Sequence, residues 1–206
     1  MNQITAIIDN TVLANFMDSG QIGILNSSNL IFKTLFVPEA VHYEFLNVKG
    51  KLLHARTRFS DGIKIDKGYY RHCNTYDPII LGSFSRKDGV DPGEAEAISQ
   101  AAKRGISIII TDDRKCRDYI EKKFAHIKTY STLTIIALLD LSGWLPDRNK
   151  NFQQLYMSCS FTAAQLRVAY IQASQHIGIT LKGKALSKKS SLKSIIGKRK
   201  PSKAIR

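Results

Sequence analysis

Two short runs of β-branched, almost wholly apolar residues, Ile4–Ile8 and Ile106–Ile110, constrain this chain most, because each stops at a carboxylate. An alternating run would mark a half-exposed strand. A continuous one marks a strand buried on both faces, the habit of parallel sheets. Asp9 follows the first run at once, and Asp112 and Asp113 close the second. In open α/β sheets, sites form at the carboxyl ends of strands. A well-marked helix precedes the second run. Asp91 suits its N-cap, Pro92 its first turn, Glu94 the capping-box position and Gly105 its stop, while Ala95, Ile98 and Ala102 share one face. One unit thus delivers an acid at a helix start and two acids at a strand end. Strands alternating with helices predict an α/β fold, a three-layer α/β/α sandwich with a central parallel sheet.

A chain of 206 residues is long enough for a sizeable core and for one domain with an appendage. The expected division is a core at 1–147, a helical extension at 148–181 and a basic tail at 182–206. Charge supports it: residues 1–147 hold 18 Lys/Arg and 17 Asp/Glu, whereas 148–206 hold 13 Lys/Arg and no acid. A basic segment of this kind points to a polyanion, nucleic acid before an anionic membrane surface. Cys73, Cys116 and Cys159 are odd in number and show no CxxC spacing, which fits free thiols in a reducing compartment. The opening MNQITAIID has no basic n-region, so no signal peptide is expected. Leu133–Leu145 is too short to span a bilayer and is broken by Asp140. A soluble, cytoplasmic protein without membrane attachment is the expectation.

The remaining pattern predicts a helix over Asn10–Met17, a strand at Leu35–Val37 and a helix from Pro38 to about Asn47 that carries Glu44. A basic helix is expected at Lys49–Arg58, and strands near Ile63–Ile65 and at Ile79–Leu81. Then follow a helix at Arg114–Phe124, a strand at Ile127 and helices at Leu133–Leu141, Phe152–Ser158 and Ala163–Ser174. From Lys182 onward Lys, Ser and Gly dominate, and no stable structure is expected.

Four acid-bearing blocks occur in order: IIDNTVLANF at 7–16, VPEAVHYEFL at 37–46, DPGEAEAISQAAKRG at 91–105 and TDDRKCRDYI at 111–120. With STLTIIALLDLSGWLP at 131–146 they resemble a PIN domain of the VapC-like ribonucleases, in the subgroup with a GEAEA…TDD pattern and extra C-terminal helices. The resemblance covers about residues 1–178. Ser131-Thr132 stands where the subgroup commonly has Gly-Thr, the stretch at about 60–90 is longer than expected, and everything after Lys182 lies outside. The resemblance implies a metal-dependent endoribonuclease with Asp9, Glu44, Glu94, Asp112 and Asp113 as its catalytic acids. Mg²⁺ or Mn²⁺ would be held by Asp9, Glu94 and Asp112 or Asp113, and cuts would leave 5′-phosphate and 3′-hydroxyl ends. RNA is the implied partner. A toxin role would add a small antitoxin protein, and a homodimer is a further expectation.

The chemistry agrees with those residue types. Crowded carboxylates repel one another and favour a hard cation, and oxygen donors suit Mg²⁺ or Mn²⁺. His and Cys are absent from both acid-ended stretches except Cys116, which argues against zinc. His42, His54, His72, His126 and His176 show no ligand spacing and read as structural. Each acid also has a plainer account. Glu94 closes a capping box, Asp112 and Asp113 cap the helix that follows, Glu39 complements a helix dipole, and Glu96 lies on a solvated helix face. Two rival functions stand beside the nuclease. One is a non-catalytic nucleic-acid-binding or assembly protein on a PIN scaffold. The other is a haloacid-dehalogenase-like phosphotransferase, which needs a second Asp where Thr11 stands.

Overall fold

A computed structural model describes residues 4–47, 50–64, 70–84 and 89–191. In chain order, β1 (Ile4–Ile8) leads into α1 (Asn10–Asp18) and α2 (Ile22–Ser27). Then come β2 (Phe32–Pro38), α3 (Glu39–Leu46), α4 (Gly50–Lys64), β3 (Tyr70–Cys73), α5 (Pro78–Ser83) and α6 (Pro92–Arg104). The chain continues with β4 (Ile108–Ile110), α7 (Arg114–Lys123), β5 (Lys128–Tyr130), α8 (Thr132–Leu141), α9 (Arg148–Cys159), α10 (Ala163–His176) and α11 (Gly183–Lys189).

The five strands form one sheet in the order β3-β2-β1-β4-β5. β1 pairs parallel with β2 and with β4, and β2 with β3. The fold class is the expected α/β with a central parallel sheet. The order reverses between β1 and β4, where Ile7 faces Ile109 and Ile8 faces Ile110. Chain connections leave these two strands in opposite directions, so a crevice opens beyond their carboxyl ends. Asp9 and Thr111 are the residues that come next.

Among the described residues the contacts divide into two compact units, one within 4–14 and 32–129, the other within 15–31 and 130–191. In the first, Ile7, Ile98, Ala101, Ile109, Cys116, Ile120 and Ile127 form a buried core, with Phe36, Val90, Tyr119 and Phe124 against its edge. Helix α6 is the frame of this unit. Asp91 and Glu94 form a reciprocal capping box at its start, and Gly105 ends it at φ 65°, a conformation that costs glycine little.

In the second unit α8 is buried from Thr132 to Leu139, so its amphipathic periodicity vanishes. Phe152 stacks near Phe161 and Tyr170, with ring centroids 6.3 and 6.1 Å apart. Among the described residues no helix is long and apolar enough to cross a membrane.

Four expectations change. Ile79–Leu81 is part of helix α5, because Asp77 accepts from the amides of Ile79 and Ile80 at 2.9 and 3.1 Å and so caps a helix start. Ile63 and Lys64 finish α4, while Ile65 and Asp66 lie outside the described residues. Tyr70–Cys73, a stretch with no clear strand pattern, is edge strand β3. The chain stays ordered past Lys182: α11 docks through Leu186, which is buried, and through Lys189, whose Nζ donates to Asp140 Oδ2 at 2.8 Å. Low apolar content failed as a guide because one leucine and one ion pair anchor so short a helix. Residues 192–206, the remainder of the basic tail, lie outside the described residues.

Candidate active site

Asp9 sits at the switch point with 3 % of its surface exposed. Its amide donates to Ile110 O at 2.9 Å, continuing the β1–β4 pairing by one residue. Its Oδ2 collects three donors: Thr11 Oγ1 at 2.6 Å, Thr111 Oγ1 at 3.0 Å and the Thr11 amide at 3.3 Å. Each threonine is itself positioned by the loop after β4. The Asp112 amide donates to Thr11 Oγ1, and the Asp113 amide to Thr111 Oγ1, both at 3.1 Å. Two hydroxyl relays therefore run from consecutive backbone amides onto one carboxylate oxygen. Burial still pushes the Asp9 carboxyl above its ordinary range, although these hydrogen bonds oppose the shift.

Glu94 and Glu44 complete the group. Glu94 is 4 % exposed, and its Oε2 accepts from the Asp91 amide at 3.0 Å, as the capping box requires. Burial, then the fields of Asp91, Asp113 and Asp9, push its carboxyl up to about 8. Glu44 projects from α3 toward the start of α6, and a bond from the Gly93 backbone holds its carboxylate there. A Cβ on Gly93 would lie 2.8 Å from Glu44 Oε1, so a larger residue at that position would push the Glu44 carboxylate aside. Burial, then Asp91 and Asp9, push Glu44 up to about 7. Asp113 uses Oδ1 to cap α7, accepting from the Cys116 amide at 2.9 Å. Asp112 is half-buried beside it.

The structure thus brings Asp9, Glu44, Glu94 and Asp113 into one shared negative field. Asp91 belongs to that field as well. Its cap position hid this in the sequence, yet it acts on Asp9, Glu44 and Glu94 alike. Thr111 was also hidden, since a threonine after a strand carries no signal until its partner is known. Burial and the same carboxylates push the Cys116 thiol well above its usual range, so it stays protonated.

Among the described residues no three His, Cys, Asp or Glu side chains already form a metal-holding group. The donor chemistry nevertheless fits a hard cation: oxygen donors alone, Asp9 and Glu94 buried and Glu44 and Asp113 half-buried, whose ionised forms would repel one another.

Glu96 departs from expectation. It is 8 % exposed and does not face solvent. Its carboxylate accepts from the amides of Glu39 at 3.2 Å and Ala40 at 2.8 Å, the first turn of α3, and from Gln100 Nε2 at 2.8 Å. Pro38 occupies the N-cap of α3 and offers no side-chain acceptor, so a neighbouring helix supplies one.

The raised carboxyls carry a pH prediction for the metal-free protein. Folding holds protons on Glu44 and Glu94 that the unfolded chain releases near 4.5. The stability this confers is complete at acid pH and is lost as pH rises through about 7 and about 8. Glu94→Gln keeps the capping box, because an amide oxygen also accepts from the Asp91 amide, but removes the ionisable group. Urea unfolding in chelator should show parent stability falling from mildly acid to mildly alkaline pH, with a shallower fall in the variant. Parallel profiles for the two proteins would count against the shared field.

The sequence profile of a family described as a PIN domain matches residues 5–175. No curated protein matches the chain. The matched span contains the whole sheet but for its first residue, Ile4, and all the acids at its switch point, and the chain belongs to the PIN domain family.

Proposed function

We propose that this protein is a metal-dependent endoribonuclease that hydrolyses RNA phosphodiester bonds at the Asp9–Glu44–Glu94–Asp113 cluster. Membership of the PIN family supports a nuclease-like scaffold. The observation that carries the finer reading is the gathering of three carboxylates in one field, Asp9 and Glu94 buried and Glu44 half-buried, each with its carboxyl raised. Such an arrangement is costly for folding alone and is common where a charge is to be received.

Asp9, Glu94 and Asp113, with Asp112 alongside, would hold Mg²⁺ or Mn²⁺. Such an ion neutralises phosphate charge and lowers the pKa of bound water. The chain's own part is orientation and proton handling. The threonine relays fix Asp9 Oδ2, the capping box fixes Glu94, and the Gly93 backbone fixes Glu44. Without an ion, burial and the neighbouring acids hold the Glu44 carboxyl up at about 7. With a cation on those acids it would be drawn down, leaving Glu44 ionised, the form a general base needs.

The test is cleavage of a mixed RNA pool by purified protein with Mg²⁺, with Mn²⁺ and with chelator. Metal-dependent internal cuts are expected. Binding without cutting under every condition would favour a non-catalytic nucleic-acid-binding protein on the same scaffold.

A further inference from the structure

Beside Glu44 lies a cavity of about 640 Å³ lined by Glu39, Tyr43, Glu44, Tyr76, Leu81 and Pro92, with Glu96 at its wall. We infer that this cavity receives an unpaired nucleobase of single-stranded RNA, stacked against Tyr43 or Tyr76, next to the phosphate being cut. The inference rests on the nuclease reading and names the substrate class for that site.

Exposure is the first observation. Tyr43 is 75 % exposed and Tyr76 42 %, although tyrosines in soluble proteins usually bury most of their rings. Both line the same cavity, with Leu81 and Pro92 supplying further apolar wall.

Rigidity is the second. Both tyrosines stand on backbone that α6 holds in place. Glu96 ties down the first turn of α3, three residues before Tyr43 at its closest. Ser99 Oγ donates to Asp77 O at 2.6 Å and accepts from the Asp77 amide at 2.7 Å, clamping the residue after Tyr76. Gln100 Nε2 donates to Cys73 O at 2.8 Å and holds the other end of that loop. Three consecutive polar positions of one buried helix face, counting Glu96 with Ser99 and Gln100, thus set two walls of one cavity. Rings carried on backbone held this way have only their own side-chain torsions left to fix on binding.

Charge decides the occupant. The ionisable groups on the lining are all acids, so a backbone phosphate is disfavoured there, while an uncharged, planar base is not. Aromatic rings stack on any base, and bases are free to enter only when unpaired. Because Glu44 belongs both to the cavity and to the carboxylate cluster, a base seated here leaves its own phosphate at the cluster.

The experiment measures binding of a labelled single-stranded oligoribonucleotide by anisotropy. It uses Asp9→Asn alone and combined with Tyr43→Ala, Tyr76→Ala or the matching Phe changes. A second series uses the same oligonucleotide with one abasic ribose at successive positions. At least one Ala variant should bind intact RNA about fivefold or more weakly, with Phe restoring affinity. One abasic position should reproduce that loss in Asp9→Asn alone and add nothing in the Ala variant. In the parent at Asp9, the Ala change should raise KM for cleavage. Unchanged affinity, KM and abasic response in both Ala variants, in a protein that cuts RNA, would overturn the base pocket and leave the nuclease reading standing. A parent that neither binds nor cuts RNA overturns both.

Discussion

Asp9→Asn should lower the rate of metal-dependent RNA cleavage by about 10²- to 10⁴-fold, the range for losing a group that acts directly in the chemistry. The fold should survive. An asparagine oxygen can still accept from Thr11 Oγ1 and Thr111 Oγ1, which meet Asp9 Oδ2 at 2.6 and 3.0 Å. Removing a buried charge also relieves the repulsion with Glu44 and Glu94. In chelator the variant should therefore melt no lower than the parent. Added Mg²⁺ or Mn²⁺ should raise the parent's Tm by mass action and move the variant's less. Two readouts separate the possibilities. A rate equal to the parent's would exclude Asp9 from the chemistry, and a parent Tm indifferent to both ions would exclude an assembled cation site.

The largest effect on stability is expected away from the site, at Asp140→Ala. Asp140 Oδ2 accepts from Tyr170 Oη at 2.6 Å, from Lys189 Nζ at 2.8 Å and from Arg148 Nε at 3.2 Å. Arg148 also donates to Tyr170 Oη at 3.2 and 3.3 Å and to the Lys189 carbonyl. Its guanidinium lies over the Phe152 ring, 5.3 Å from the centroid. One carboxylate thus joins α8, α9, α10 and α11. The Asp140 side chain is 9 % exposed, so its loss leaves two cations and a hydroxyl without their shared acceptor in a mostly dry place. Removing one partner of a buried charge network costs about 3–5 kcal/mol. The open flank toward solvent at Lys189, 34 % exposed, puts the expectation at the lower end, about 3 kcal/mol. Urea unfolding of Asp140→Ala checks it. Proteolysis should also reveal earlier cleavage within 183–191, since α11 loses its anchor. A change of less than about 1 kcal/mol, the scale of an exposed pair, would show the network to be solvent-screened.

The identity of the strands and helices around the site followed from local signals. Continuous isoleucine runs mark buried parallel strands whatever the surroundings, and the Asp91–Glu94 capping box with Gly105 brackets α6 by backbone chemistry alone. The acids at strand ends were legible for the same reason, because a charge placed directly after a buried run has few neutral explanations. The apolar stretch at Leu133–Leu141 likewise named its helix.

Other features depend on which residues meet. Glu96 carries the periodicity of a solvated face, yet α3 arrives with a proline at its N-cap and takes that carboxylate for its first turn. Thr111 reaches Asp9, and Thr11 receives the Asp112 amide, only once β1 and β4 lie side by side, and Asp91 acts on Asp9 and Glu44 only when α6 packs beside β1 and α3. The tyrosine walls exist because Ser99 and Gln100 clamp a loop about a quarter-hundred residues earlier. Helix α11 forms against Asp140, 49 residues upstream of Lys189, where composition alone predicted no order. Local propensity and patterning are properties of a chain segment and can be read from it. Hydrogen-bond satisfaction of a bare helix start, the sharing of one field by several acids, and the docking of a short basic helix are properties of packing, and only the tertiary structure decided them.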